Sequence, residues 1–310
     1  MIYLQMSGRL GNQFFRYAAA RALQIKYYPT ENLVINYQQK VNGDSSFYNM
    51  LRDFNVIDFE NDNSKLALAS HTSLRQKTVC LPYLLVMKKI RPEQMNQQVE
   101  YEKKWVNILN KNGIYWFRRG GWELKKSTQR DKFLSGNFED PVYFDSIRDT
   151  LLKEFTPLHP ILEKNLELYN NIQTMNSICI SVRRGDFESN EIFKGLHSLC
   201  SKEYFIKAIE EIKKHVNNPV FFMFSDDIRW VRENVSTGCL TYYEDGTDPV
   251  WEKLRLMSAC KHFIISNSTF SWWVQYLSTN KDKIVISPSR WFNNDYKSPL
   301  INERWVKIEV

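Results

Sequence analysis

Hydrophobic residues in this chain fall in short clusters whose spacing changes from segment to segment. Ile2 to Met6 is brief and apolar enough for a buried strand. Ser7, Gly8 and Gly11 then break it, and Phe14, Tyr17, Ala18, Arg21 and Ala22 return at helical spacing. The chain therefore opens as strand, glycine loop, helix. Between 31 and 130, apolar pieces alternate with polar ones such as 61–65 and 97–104, a pattern that supports only mixed helices and loops. The stretch 138–155 runs into Thr156-Pro157-Leu158-His159-Pro160, whose two prolines discourage helix continuation and mark a linker. Domains over 1–156 and 157–310 are expected. Beyond the linker, Ile178 to Val182 and Val220 to Phe224 read as strands, with Phe205, Ala208, Ile209 and Ile212 on one helical stripe between them. The alternation continues with a helix through Val250, Leu254 and Met257, a strand from Phe263 to Ile265, a helix from about Phe270 to Leu277 and a strand from Lys283 to Ser287. Such alternation predicts an α/β fold with a parallel sheet covered on both faces and ligands at the carboxyl ends of its strands.

The 310 residues suffice for about two domains. With 43% hydrophobic and 25% charged residues the chain belongs to the globular class, neither disordered nor collagen-like. No apolar run approaches the ~18 residues of a membrane span, and the opening lacks the basic-then-apolar order of a leader. Cys80, Cys179, Cys200, Cys239 and Cys260 are scattered and form no CxxC pair, which argues against a disulfide framework or zinc ribbon and for a reducing cytosol. The net charge of +7 is diluted over the chain. Its surplus gathers in Lys88, Lys89, Arg91, Lys103, Lys104, Arg118, Arg119, Lys125 and Lys126. Solvated helix faces account for such pairs; a surface meeting the inner face of an anionic membrane, or a charged acceptor, is the other reading. No nucleic-acid partner is expected, because no recognised binding signature accompanies the charge.

Four segments at strand-to-helix turns carry candidate chemistry. In Ser7-Gly8-Arg9-Leu10-Gly11-Asn12-Gln13, two glycines let backbone N–H groups approach a ligand at a helix N-terminus. The segment lacks the Lys-Ser/Thr of a P-loop and is not GxGxxG. In Ser181-Val182-Arg183-Arg184-Gly185-Asp186, alternation sends the two guanidinium groups to opposite sides, one toward ligand and the other toward Asp186 or another carboxylate. A planar fork suits a diphosphate oxygen better than an ammonium does. In Phe224-Ser225-Asp226-Asp227, a carboxylate is placed to accept both adjacent donors of a guanine edge. The residues Ser266, Asn267, Ser268 and Thr269, followed by Phe270, Ser271, Trp272 and Trp273, make an anion cradle before a helix. The plain alternatives are a glycine turn, a structural ion pair, an Asp helix cap and serial capping. A metal is not expected: Asp226 and Asp227 are adjacent rather than spaced as DxD, and His197 with Cys200 has no second ligand pair.

Taken together the motifs resemble the bacterial α-1,2-fucosyltransferases, the GDP-fucose-dependent enzymes of glycosyltransferase family 11. The resemblance covers Gly8 to Leu23, Gly136 to Asp145, Arg183 to Phe187, Phe224 to Asp227, Met257 to Leu277 and Trp305 to Ile308, and is loose over 40–130. It implies a GT-B-like α/β architecture of two Rossmann-type lobes with a nucleotide-sugar cleft between them, the first lobe on the acceptor side and the second on the donor side. It further implies an inverting, metal-independent transfer of L-fucose from GDP-fucose to the 2-hydroxyl of a galactose-terminated glycan, with no cofactor. By the same resemblance Arg183 neutralises the leaving diphosphate, Gly11 and Asn12 reach it from the first lobe, and Ser268 with Thr269 forms its second cradle; Gly8, Gln13, Ser266 and Asn267 complete the expected donor-binding set. Asp227 or Asp226 reads guanine. Where the family pattern is His-x-Arg-Arg-Gly-Asp-Tyr, this chain has Ser181 and Phe187. Ser181 can still hydrogen bond to donor, without the reach or charge of an imidazole. Arg183 and Asn12 are the expected catalytic residues. Asp186, with Glu188 and Glu191 nearby, is a candidate base whose pairing to Arg184 is an equal reading. Another GDP-sugar, another acceptor, or nucleotide-sugar binding without turnover remain open at this point.

Overall fold

The computed structural model describes residues 1–37, 48–64, 70–184, 195–196 and 200–310. The chain divides into two compact units, Met1–Phe155 and Thr156–Val310.

The first unit runs β1 (Ile2–Gln5), α1 (Leu10–Tyr27), β2 (Leu33–Asn36), β3 (Glu60–Asp62), α2 (Leu74–Met87), α3 (Met95–Lys111), β4 (Ile114–Tyr115), β5 (Lys132–Leu134) and α4 (Arg148–Glu154). Its strands are all parallel, in the order β3-β2-β1-β5-β4. The sequence pattern over 31–130 gives helices and loops, whereas the structure places β2, β3 and β4 there. Strands of four, three and two residues are too short to show a period of two. Helix α1 is buried on almost every side, as its run of Phe14, Phe15, Tyr17, Ala18, Ala19 and Ala20 requires. Its polar groups are met inside: the Tyr17 hydroxyl donates to Glu154 Oε2 at 2.7 Å and Arg21 Nε to Glu154 Oε1 at 2.9 Å.

The second unit runs α5 (Leu166–Thr174), β6 (Asn176–Val182), α6 (Lys202–Lys213), β7 (Pro219–Ser225), α7 (Ile228–Asn234), β8 (Thr241–Tyr243), α8 (Val250–Ser258), β9 (His262–Ile265), α9 (Thr269–Leu277), β10 (Val285–Pro288) and β11 (Val306–Ile308). Its strands, again parallel, lie in the order β11-β10-β9-β6-β7-β8. Numbered within the unit this is 6-5-4-1-2-3, the order of the dinucleotide-binding doubly wound fold. Ile178, Ile180, Phe221, Met223 and Ile264 of the sheet pack on Phe205, Ala208, Ile209 and Ile212, the α6 stripe expected from the sequence. Among the described residues no helix is long and apolar enough to cross a membrane.

Two carboxylates, one buried and one half-buried, hold the first unit's loops. Glu102 of α3 is fully buried and accepts the backbone N–H of Arg118, of Arg119 at 3.5 Å and of Gly120 at 3.0 Å, together with Trp122 Nε1–H at 2.9 Å. Burial pushes its carboxyl up; these donors oppose the shift. Asp62, at the end of β3, accepts from Asn36 Nδ2 at 2.9 Å, Ser64 N at 2.9 Å and Ser64 Oγ at 2.8 Å, with His71 Nε2 at 3.3 Å. Partial burial raises its carboxyl, but the bonds from Asn36, Ser64 and His71 outweigh it and hold the group at about 2.

Glu102→Ala orphans several buried donors at once. Denaturant titration should therefore show a loss of about 3 kcal/mol or more, and an unchanged midpoint contradicts the brace. Asp62 has a depressed folded value. Its contribution should be complete above the unfolded carboxyl value of ~3.9 and vanish as pH falls through the folded one. The stability gap between wild type and Asp62→Asn is thus expected to be flat from neutral pH to ~4 and to close toward about 2.

Candidate functional site

In each unit the chemistry-bearing residues sit where the parallel strands end. In the second unit β6 lies between β9 and β7, so the segments after all three share one carboxyl edge. The strand ends are tied together through Ser266, which is fully buried. Its Oγ donates to Ser181 O at 2.6 Å and accepts Arg183 N–H at 3.1 Å. Ser181 is buried as well, and its Oγ shares a hydrogen bond of 2.7 Å with Ser271 Oγ in the first turn of α9. Asn267 is held by Trp291 O, to which its Nδ2 donates at 3.0 Å. Ser181, Ser266 and Asn267 thus shape the edge from beneath.

Above them lie the charged groups. Arg183 Nη1 stands 2.8 Å from Asp226 Oδ2, their side chains 24% and 23% exposed. The N–H of Arg184 donates to the other oxygen of Asp226 at 2.9 Å. The Arg184 guanidinium lies 3.8 Å from the Trp230 ring centroid, with Nε 3.8 Å from Asp227 Oδ2. Arg183 and Arg184 follow the last residue of β6, and both turn to the segment after β7, Arg183 to Asp226 and Arg184 toward Asp227. Asp227 also caps α7, accepting Trp230 N–H at 3.1 Å. Ser268 is the N-cap of α9, its side chain making no cap bond, and Ser268 and Thr269 are both half-buried at that helix start. Asp186, Phe187, Glu188, Glu191 and His197 lie outside the described residues.

In the first unit the loop after β1 carries Gly8 with φ +80°, a left-handed conformation that a side chain strains. A Cβ there would also come within 2.8 Å of Asn12 Cβ and Nδ2, so Asn12 lies directly over Gly8. Gln13 is buried and braces the loop: its Nε2 donates to Gly8 O at 2.9 Å and Tyr48 O at 2.8 Å, while its Oε1 accepts Met50 N–H at 3.1 Å. Gly11 is buried in the first turn of α1, whose first turn contains no acidic residue. Arg9, exposed at the N-cap of this helix, joins the candidate set; the sequence reading named the loop but not this side chain.

One acidic cluster carries ion pairs with two lysines. Among the described residues, Glu244, Asp245 and Asp248 come close enough to share a cation. Lys164 Nζ lies 2.8 Å from Asp248 and 3.1 Å from Asp245, and Lys253 Nζ 3.3 Å from Glu244. The five cysteines are free thiols.

Comparison with known proteins adds the family. The profile described as Glycosyl transferase family 11 matches residues 1–309. The chain is 29% identical to the O-antigen biosynthesis glycosyltransferase WbnK of Escherichia coli, over 99% of this chain and 100% of that one. It is 27% identical to an alpha-1,2-colitosyltransferase of the same species, over 100% and 99%. Among solved structures, fucosyltransferase NodZ from Bradyrhizobium superposes with a TM-score of 0.51 at 11% identity, covering 89% of this chain and 91% of that one, which shows a shared GT-B-like fold. With the family profile spanning essentially the whole sequence, this chain belongs to glycosyltransferase family 11 and is a glycosyltransferase.

Proposed function

We propose that the protein transfers L-fucose from GDP-fucose to the 2-hydroxyl of a terminal galactose, inverting the anomeric carbon and forming an α-1,2 linkage without a metal or other cofactor. The observation that carries this reading is the guanidinium of Arg183 at the carboxyl edge of the second sheet, oriented by Asp226 at 2.8 Å. As the glycosidic C–O bond breaks, negative charge grows on the diphosphate and positive charge on the sugar ring. A fixed guanidinium stabilises the first at no reorganisation cost. The half-buried N-terminus of α9, with Ser268 and Thr269, offers further donors to the same anion. Gly8, Gly11 and Asn12 form a tight glycine loop at the start of α1 in the first unit. In this reading Asp227 meets the guanine edge, because both oxygens of Asp226 are engaged by Arg183 and by the Arg184 N–H. Asp186 stays a candidate base.

The activities for which two relatives are named support both the sugar class and an alternative. A galactoside 2-alpha-L-fucosyltransferase of mouse is 28% identical over 47% of this chain and 42% of its own, and the colitosyltransferase of Escherichia coli is matched over 99% of its length. The second reading therefore keeps the site and exchanges fucose for another deoxyhexose on a GDP carrier. Contact with an anionic membrane surface is proposed for α2, where exposed Leu81 and Leu85 are followed by exposed Lys88, Lys89 and Arg91.

Calorimetric titration with GDP, with UDP as control and a chelator present throughout, is expected to give saturable binding for GDP and none for UDP. Binding of neither, or binding of GDP only after a divalent metal is restored, overturns the donor assignment. Arg183→Ala should retain its circular dichroism and lose about 10²- to 10³-fold in kcat, the scale of one oxyanion donor. Near-normal turnover would remove Arg183 from the mechanism.

A further inference from the structure

At the carboxyl edge of the first unit, a turn that the donor reading leaves unused is built with unusual care. It follows β5, which pairs with β1 on the side opposite β2, so it stands beside the point where the strand order reverses. Ligands in open α/β sheets bind in that crevice. Phe138 is buried and adopts φ +54°, a left-handed conformation that an aromatic residue takes only under constraint. The N–H of Asp140 donates to Phe138 O at 2.8 Å, closing a three-residue turn with Glu139 at its apex. Gly136 lies so close to Phe117 O that no side chain fits, and Gly121 lies equally close to the Asp140 carboxylate. The turn is thus pressed against the loop after β4, the same loop that Glu102 fixes from below.

The groups gathered there are those that recognise a neutral sugar. Arg119 Nη1 stands 3.5 Å from Glu139 Oε2, with the two side chains 15% and 16% exposed. The buried Arg16 donates from Nη2 to Asn137 Oδ1 at 3.3 Å and from Nη1 to Gln5 O at 3.1 Å. Its Nε has no partner among the described residues. Burial pushes the Glu139 carboxyl up, and the guanidinium groups of Arg119 and Arg16 pull it back. Trp122 is half-buried in the same loop, its ring against Gly120 and its N–H on Glu102. A diphosphate would meet the carboxylates of Glu139 and Asp140; adjacent hydroxyls of a pyranose would instead donate to a carboxylate and accept from a guanidinium.

We propose that Glu139 is a specificity-determining residue that accepts hydrogen bonds from adjacent hydroxyls of the acceptor sugar, with Arg119 positioning its carboxylate. This rests on the glycosyl-transfer reading and adds to it a place for the acceptor. Nothing in the assignment requires Glu139 to take a proton.

The test titrates the full chain with lactose and methyl β-galactoside, with maltose and methyl α-mannoside alongside, in the absence of nucleotide and followed by saturation-transfer NMR. A separate calorimetric titration with GDP is the control. Wild type is expected to bind at least one of the sugars. Glu139→Gln should weaken that binding about tenfold or more, as loss of a charge-assisted bond does, with circular dichroism and GDP affinity unchanged. Arg119→Lys, which keeps the charge and loses the fork, should fall between. Equal sugar affinity in wild type and Glu139→Gln overturns the proposal, as does a loss of GDP affinity with sugar binding intact, or the absence of any sugar binding by the wild type. A silent GDP titration beside the expected sugar result removes the donor reading and leaves the sugar site standing.

Discussion

Both units obey one constraint: the first strand in sequence lies inside its sheet, and every neighbour is parallel to it. A parallel neighbour can arrive only through a crossover, so all strands end on one edge and the connections leaving that edge must carry whatever the unit does. Because the chain adds strands first on one side of β1 or β6 and later on the other, a gap opens between diverging connections beside that inner strand. The glycine loop after β1, the Glu139 turn after β5 and the Arg183 segment after β6 all occupy such positions. Within the first unit the glycine loop and the Glu139 turn stand side by side because β1 and β5 are neighbours, although residues 8 and 139 are far apart in the chain.

An edge of loops needs rigid support if it is to hold charged groups in place. Backbone polar atoms near the core cannot be left unpaired, and this chain meets them with side chains. Ser266 joins the ends of β6 and β9 through two bonds to the β6 strand end, and Gln13 and Glu102 play comparable parts around the glycine loop and the loop after β4. The ion pairs above have a different character. A partly exposed pair such as Arg183 with Asp226 contributes little to stability. What the pair supplies is orientation: a guanidinium held by one carboxylate keeps its remaining N–H groups aimed along fixed directions. The stacking of Arg184 on Trp230 separates the second cation from the first and prevents the two from competing for one carboxylate.

The second unit could be read from the sequence because its strands β6 and β7 are seven residues long and buried through most of their length, and because the α6 stripe is regular. Its strand-end motifs were legible for the same reason, as polar residues that interrupt an apolar run are conspicuous. The strand near 283 begins later than the apolar run indicates, at Val285. In the first unit the short strands β2, β3 and β4 leave no periodic trace, so their pairing with β1 and β5 is a tertiary outcome. The Glu139 corner is harder still. Gly136 to Asp145 stands out as a motif, but its geometry depends on a loop some 20 residues earlier, and a left-handed Phe has no signature comparable to a left-handed Gly.

The structure also gives physical meaning to Ser181, the serine that stands where the family pattern has histidine. Its hydroxyl does not reach along the edge toward a ligand; it turns under the edge to Ser271, 2.7 Å away. The register places Ser181 opposite Ile265, so this bond joins the penultimate residue of β6 to the helix that begins just after β9. A hydroxyl pair of this kind needs two small residues, one on each element, and the chain has both. It fixes the start of α9, and with it Ser268 and Thr269, against the strand that carries Arg183.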